Sequence, residues 1–168
     1  MKINSEKNTF SKLFDVSRET LRKLIQYELK IISFNEKSNI IGKSTIPHIW
    51  KRHFADSAKI LSLLTTIVKK KENRKLTICD VGSGAGFPGL VILILNQEKK
   101  VNFHMTLVES NKKKCSFLKD LIKCFKIKAE VINDRAENLD KKFDIIVARA
   151  VASLPKFLTF CKIGRAHV

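Results

Sequence analysis

No stretch of this 168-residue chain approaches the roughly 20 uninterrupted apolar residues that a membrane-spanning helix requires. The opening Met1-Lys-Ile-Asn-Ser-Glu-Lys7 likewise lacks an apolar signal core, so a soluble, cytoplasmic protein with no membrane partner is expected. Cysteine is scarce. Cys79, Cys115, Cys124 and Cys161 form no CxxC pair and sit in apolar patterns, which predicts reduced, buried thiols and neither a disulfide framework nor a metal site. Acidic residues are few as well, 16 against 33 basic, for a formal charge of +17. Of the basic residues 26 are Lys and only seven are Arg. Such an excess suits a polyanionic partner, because ammonium groups that neutralise phosphates release counterions. AT-rich codon usage, which also enriches Ile, Asn and Phe, explains it equally well, so charge alone does not assign a nucleic-acid partner.

What is present is enough for one domain with a real core, since a chain of about 150 residues buries roughly 70% of its unfolded surface. After a polar start, Leu21, Leu24, Ile25, Leu29 and Ile32 recur at helical spacing behind Ser17, a plausible N-cap, with Glu19 in the first turn. A connection with Asn35, Asn39, Gly42 and Pro47 follows. Then Trp50, Phe54, Ala58, Leu61, Leu64 and Val68 form a second helical stripe, closed by the lysine-rich connector Lys69-Lys-Lys-Glu-Asn-Arg-Lys75. From Leu76 the texture changes. Short apolar segments at 76–81, 105–109, 129–132 and 143–148 alternate with helical patterns, which implies a parallel sheet. One helix opens at Pro88, another carries Cys115, Leu118, Ile122 and Phe125 on one face, and a last one is expected near Ser153-Leu-Pro155. Right-handed crossovers then place every strand's C-terminal end on one edge, where ligands of such sheets bind.

The first strand runs into Asp80-Val-Gly82-Ser-Gly84-Ala-Gly86-Phe-Pro-Gly89. Small residues at a tight strand-to-helix turn let a ligand approach the backbone. Gly84-Ala-Gly86-Phe-Pro-Gly89 also satisfies the dinucleotide fingerprint GxGxxG, which keeps a nicotinamide or flavin enzyme open. Against it, Gly82 already occupies the place where that motif begins, and Asp80 precedes it. A carboxylate there suits the amino and sulfonium cations of S-adenosylmethionine better than a pyrophosphate. Glu109 ends the second strand, where it can accept from both ribose hydroxyls of either kind of cofactor.

Asp80-Val-Gly-Ser-Gly-Ala-Gly-Phe-Pro-Gly89, Arg135-Ala-Glu137, Ala148-Arg-Ala-Val-Ala-Ser153 and His53-Phe-Ala-Asp-Ser57 together resemble the RsmG (GidB) family, over roughly Leu21 to Cys161. Members of that family methylate N7 of a guanine in 16S ribosomal RNA. The resemblance implies an α/β, Rossmann-like class I S-adenosylmethionine-dependent methyltransferase fold: a parallel sheet with N-terminal helices. It also implies that Gly82 and Phe87 line the methionine and adenosine pocket, and Gly84 and Gly86 of the same turn are expected to bind the cofactor as well. Ala136 and Glu137 would flank the adenine, Glu109 would hold the ribose, and Arg149 would close the methionine side. The segment of His53, Asp56 and Ser57 would close over the cofactor's edge, although a structural role for these three is as good a reading.

The chemistry agrees with what is missing. Guanine N7 has a free lone pair and no proton, so attack on the sulfonium methyl requires alignment but no general base and no nucleophilic cysteine. The position after the fourth strand reads Ala148-Arg-Ala-Val and not the Asn/Asp-Pro-Pro-Tyr/Phe that commonly serves exocyclic amines. The expected partner is 16S ribosomal RNA or the small ribosomal subunit, met by a monomer. Lys112, Lys113, Lys114, Lys119 and Lys123 could track its phosphates, or simply form a solvated face. A methyltransferase acting on another substrate and a non-catalytic RNA-binding module remain as alternatives.

Residues 1–75 are expected to form a helical region packed on a core at 76–162. The family continues with further strands, so the sheet is expected to be truncated, with its C-terminal strands missing. Ile163-Gly-Arg-Ala-His-Val168 matches one reading frame of a common sequencing adapter, ATC GGA AGA GCA CAC GTC, and is expected to be a non-native tail.

Overall fold

The computed structural model describes residues 5–71 and 74–149. The helix expected near Ser153, Cys161 and the 163–168 segment lie outside the described residues, as does most of Ala148-Arg-Ala-Val-Ala-Ser153.

Among the described residues four parallel strands form one sheet in the order β3-β2-β1-β4, with β1 Leu76–Val81, β2 Phe103–Val108, β3 Glu130–Ile132 and β4 Ile145–Ala148. The central pair is buried along most of its length, as strands covered on both faces are. Register fixes the geometry that matters. Val81 lies opposite Val108 and Ala148, and Val108 lies opposite Ile132, so all four strands end level. Sequence patterning locates β1 at its observed bounds. It places β2 two residues late and starts β3 and β4 one and two residues early, because Phe103 and His104 are only half-buried and Phe143 lies in a loop.

The helices are α1 Ser5–Leu13, α2 Arg18–Lys37, α3 Asp56–Lys70, α4 Gly89–Lys99 and α5 Lys112–Cys124. Helix α4 is buried from Gly89 through Leu95 on every side, the mark of an interior helix. It packs against β2, α2 and α3 at once. Each fully buried side chain such as Leu90, Ile92 or Ile94 contributes about 1.5–3 kcal/mol of hydrophobic stabilisation. The N-cap of α2 is the expected Ser17, whose hydroxyl accepts from the Thr20 amide at 3.2 Å. The Thr20 hydroxyl in turn donates to Glu98 at 2.7 Å and ties α2 to the end of α4.

Several expectations are corrected. The polar start hides α1, whose Phe10 is buried against Trp50 and Phe14. Leu29 is exposed, because the buried face of α2 runs through Leu24, Tyr27, Ile31 and Asn35. Cys124 is exposed, off the buried seam of α5, whereas Cys79 and Cys115 are buried as expected. The connection before α3 is ordered as a 3-10 helix at Lys43–His48, followed by a π-helical turn at Trp50–Ala55. The widened turn runs directly into α3, and with it Trp50, His53, Phe54, Ala58, Leu61, Leu64 and Val68 all become buried.

Candidate functional site at the strand ends

Because the four strands end level, the next residue of each stands on the same edge: Gly82, Glu109, Asn133 and Arg149. The turn after β1 holds three glycines with positive φ, Gly82 at 66°, Gly84 at 56° and Gly86 at 100°. Their surroundings differ. Among the described residues a Cβ on Gly84 would meet only the Gly82 carbonyl at 3.7 Å, so they leave open space over the backbone there. A Cβ on Gly86 would come within 2.5 Å of the Tyr27 hydroxyl and 2.8 Å of Leu90 Cβ. Gly84 therefore leaves room for a ligand and Gly86 leaves room for the protein.

A cleft of about 200 Å³ opens over this turn. The strand edge contributes Gly82 to Ala85, Phe87 and Arg149; the facing segment contributes Ile40 to Gly42, Thr45 and His53. Glu109, 7% exposed, accepts from the Gly84 amide at 2.9 Å and from the Asn111 amide at 2.8 Å. One carboxylate thus braces the glycine turn and the start of α5. Asn133 does the same for the far strand, donating to the carbonyls of Glu109 and Ser110 at 3.0 and 2.9 Å.

Phe87 is the hub of the cleft's other side. The His53 ring stacks on it at 4.7 Å and 21°, Tyr27 stacks at 5.5 Å, and the Arg149 guanidinium lies 5.1 Å from its centroid. Arg149 also donates to the Arg52 carbonyl at 3.1 Å, joining the end of β4 to the π-helical turn. Burial, reinforced by the Arg149 charge, pushes the His53 imidazole down to about 4, so it is neutral at physiological pH.

Not every expected residue reaches the cleft. Asp80 is fully buried beneath it: one carboxylate oxygen accepts from the Gly89 amide at 3.0 Å, at the start of α4, and the other has no partner among the described residues. Burial pushes its carboxyl up to about 7. Ser57 donates back to the His53 carbonyl at 2.6 Å, and Asp56 pairs with Lys59 on the surface, so of these three only His53 lines the cleft. Ala136 and Glu137 open a short 3-10 helix beyond β3, on the strand-end side but outside the cleft lining. Patterning missed Tyr27 and Asn133. Tyr27 is the chain's single tyrosine and falls on the same helical face as Leu24 and Ile31, which was the available signal.

The family model of GidB, described as rRNA small subunit methyltransferase G, matches residues 20–164. The Ribosomal RNA small subunit methyltransferase G of Bartonella tribocorum is 40% identical over 146 residues, 85% of this chain and 64% of that protein. The protein of the same name from Cereibacter sphaeroides is 37% identical over 155 residues, 92% of this chain and 70% of its own length. The chain therefore spans about 64% of the length of the first of these relatives. Among solved structures, the SAH-bound methyltransferase PaMTH1 of Podospora anserina superimposes with a TM-score of 0.55 at 13% identity, over 97% of this chain and 64% of that one. The sheet, its strand order and that superposition establish the Rossmann-like class I fold.

Proposed function

The chain belongs to the GidB family, rRNA small subunit methyltransferase G, and from that premise we propose that it takes part in S-adenosylmethionine-dependent methylation of guanine N7 in 16S ribosomal RNA. The observation that carries the reading is the meeting of Glu109 with Gly84. A carboxylate at the end of β2 braces Gly84, a glycine of the turn over which the described residues leave open space.

The residues present fit the cofactor. Gly82 and Gly84 would let it approach the backbone, Glu109 has lone pairs left for the ribose hydroxyls, and Phe87 and Arg149 would bound the methionine end. Asp80, which lies beneath the turn, would act on the cofactor only through the turn it supports. Ala136 and Glu137 would flank the adenine from beyond β3. When bound, S-adenosylmethionine supplies an electrophilic methyl group. The protein's part is to exclude water, hold the guanine in line and keep N7 near that methyl, and no side chain has to take a proton because N7 carries none. His53 is held neutral, but N7 offers it nothing to remove.

Basic residues stand near the same edge. Lys112, Lys113 and Lys114 occupy the first turn of α5, three residues past Glu109, where cations oppose the helix dipole. Their placement there favours an RNA-tracking role over a merely solvated face. The expected enzyme is a cytoplasmic monomer acting on the small subunit or its RNA.

Titration with S-adenosylhomocysteine and with NAD tests the cofactor class; binding of NAD alone would sink the reading. Labelled methyl transfer to undermethylated small subunits, against free guanosine and protein controls, tests the acceptor, and nucleoside analysis of the product should give 7-methylguanosine.

A further inference from the structure

We propose that His53 donates its imidazole N–H to O6 of the acceptor guanine and so fixes the adjacent N7 for transfer. The inference rests on the guanine-N7 reading above and adds to it a residue that recognises the base.

Four observations converge on the ring. Both of its nitrogens are buried and neither has a hydrogen-bond partner among the described residues. Leaving a buried polar group unpaired costs about 1–3 kcal/mol, so a buried imidazole with no partner among the described residues points to a ligand that completes it. The ring lines the cleft that also holds the glycine turn and Arg149. It is held in place, stacked on Phe87 and mounted on the π-helical turn, a feature frequent at functional sites. The neighbouring polar groups are engaged elsewhere: Ser57 bonds the His53 backbone and not its ring, and Asp56 pairs with Lys59.

Charge decides which ligand atom the ring meets. With Arg149 beside it, His53 stays uncharged at neutral pH, a group with one donor and one acceptor. A carboxylate of the methyl donor would be better served by Arg149. An uncharged carbonyl oxygen suits a neutral N–H. Guanine presents N7 and O6 side by side as acceptors, whereas adenine presents an amino donor in place of O6. A fixed N–H toward O6 therefore accepts guanine, rejects adenine, and leaves N7 free to face the methyl.

The test compares the wild-type protein with His53→Phe, which keeps the ring on Phe87 and removes both nitrogens, and His53→Asn, which keeps an N–H. Circular dichroism and melting establish that each is folded. His53→Phe should bind S-adenosylhomocysteine within about twofold of wild type and lose about 10- to 100-fold in methyl transfer to undermethylated small subunits, the equivalent of that hydrogen bond. His53→Asn should recover part of the loss. In the S-adenosylhomocysteine-loaded wild type, guanosine monophosphate should shift the His53 imidazole resonance in NMR, and adenosine monophosphate should not. If His53→Phe fails to fold, the Asn variant and the NMR titration decide.

Normal transfer by folded His53→Phe, or equal shifts with both nucleotides, overturns the assignment while leaving the guanine-N7 reading intact. Loss of S-adenosylhomocysteine binding in folded His53→Phe also overturns it, by turning the ring toward the cofactor. A wild-type protein that binds S-adenosylhomocysteine and modifies no guanine overturns the underlying reading itself.

Discussion

The hydroxyl of Tyr27, on α2, donates to the carbonyl of Ala85 in the middle of the glycine turn. Tyr27 is fully buried, stacks on Phe87, and occupies the space that a side chain on Gly86 would need. An N-terminal helix thus sets the shape of a loop that follows the first strand. Burial holds the phenol well above its ordinary range, so the group stays a donor at any physiological pH.

Tyr27→Phe keeps the stack and removes one hydrogen bond, leaving the buried Ala85 carbonyl without this donor. A net hydrogen bond is worth about 1 kcal/mol, roughly five- to tenfold in an equilibrium constant. The variant should melt cooperatively and bind S-adenosylhomocysteine about fivefold more weakly. Unchanged affinity, measured by calorimetric titration, would mean the turn holds its shape without α2.

The glycines of the turn should separate by what lies over them. Gly86→Ala meets Tyr27 and Leu90 at distances no real Cβ adopts and takes on a left-handed backbone as well, so it should cost several kcal/mol and lower the melting temperature sharply. Gly84→Ala faces the open cleft and should cost only the backbone term, about 1–2 kcal/mol. Its larger effect should be on cofactor binding. Thermal melts and titrations of the two variants should rank them in opposite orders.

How much of this was legible beforehand depends on where each residue's neighbours lie. The positions of the turn, Glu109 and Arg149 on the strand-end edge could be read because each immediately follows a strand, and a parallel sheet brings strand ends together. Helix α1 could not: its nine residues include only Phe10 as a buried anchor, too little for a helical period. Asp80 was misplaced relative to the cleft for a similar reason. Alternation along β1 gives the face a residue points to, but it cannot show that Gly89 folds back over that carboxylate. Asp56 and Ser57 share a segment with His53, yet the π-helical turn aims only the ring at the cleft.

Arg149 combines three functions in one side chain: it borders the cleft, covers Phe87 and bonds the Arg52 carbonyl. Arg149→Ala should cripple turnover, by about a hundredfold, while the sheet still forms, because β4 pairs with β1 through Ala148 without it. Arg149→Lys should recover little. An ammonium cannot lie flat on Phe87 while reaching the carbonyl, as a planar guanidinium does. Near-normal kcat/KM in a folded Ala variant would count against the site.

Lys112, Lys113 and Lys114 make opposing predictions for stability and binding. Cations in the first turn of α5 oppose its dipole, so replacing all three with Ala should leave stability unchanged or raise it by a few tenths of a kcal/mol. If they meet phosphates, the same variant should bind RNA more weakly and its salt dependence, log Kd against log salt, should flatten by about one unit for each phosphate no longer neutralised. An unaltered slope would mark them as a solvated face.

Asp80 gives a pH dependence whose sign can be worked out. Its carboxyl titrates near 3.8 when the chain is unfolded and is pushed up to about 7 in the fold by burial, against the opposing pull of the Gly89 amide and Arg149. Between these values the folded state binds the extra proton, so stability falls as pH rises from about 4 to 7. Below that window both states are protonated and the effect vanishes; above it the full loss, on the order of a few kcal/mol, is in place. His53 works the other way. Held down to about 4 in the fold against 6.5 unfolded, it costs stability as pH falls through that interval. The two slopes oppose each other between about 4 and 6.5, and above 6.5 that of Asp80 acts without the histidine's. Asp80→Asn retains an oxygen for the Gly89 amide and cannot ionise. The stability of wild type relative to Asp80→Asn should therefore be lower at pH 8 than at pH 5, measured by denaturant unfolding at both. A constant difference would mean that the carboxylate is already ionised throughout, stabilised by the start of α4 and Arg149 more strongly than burial disfavours it.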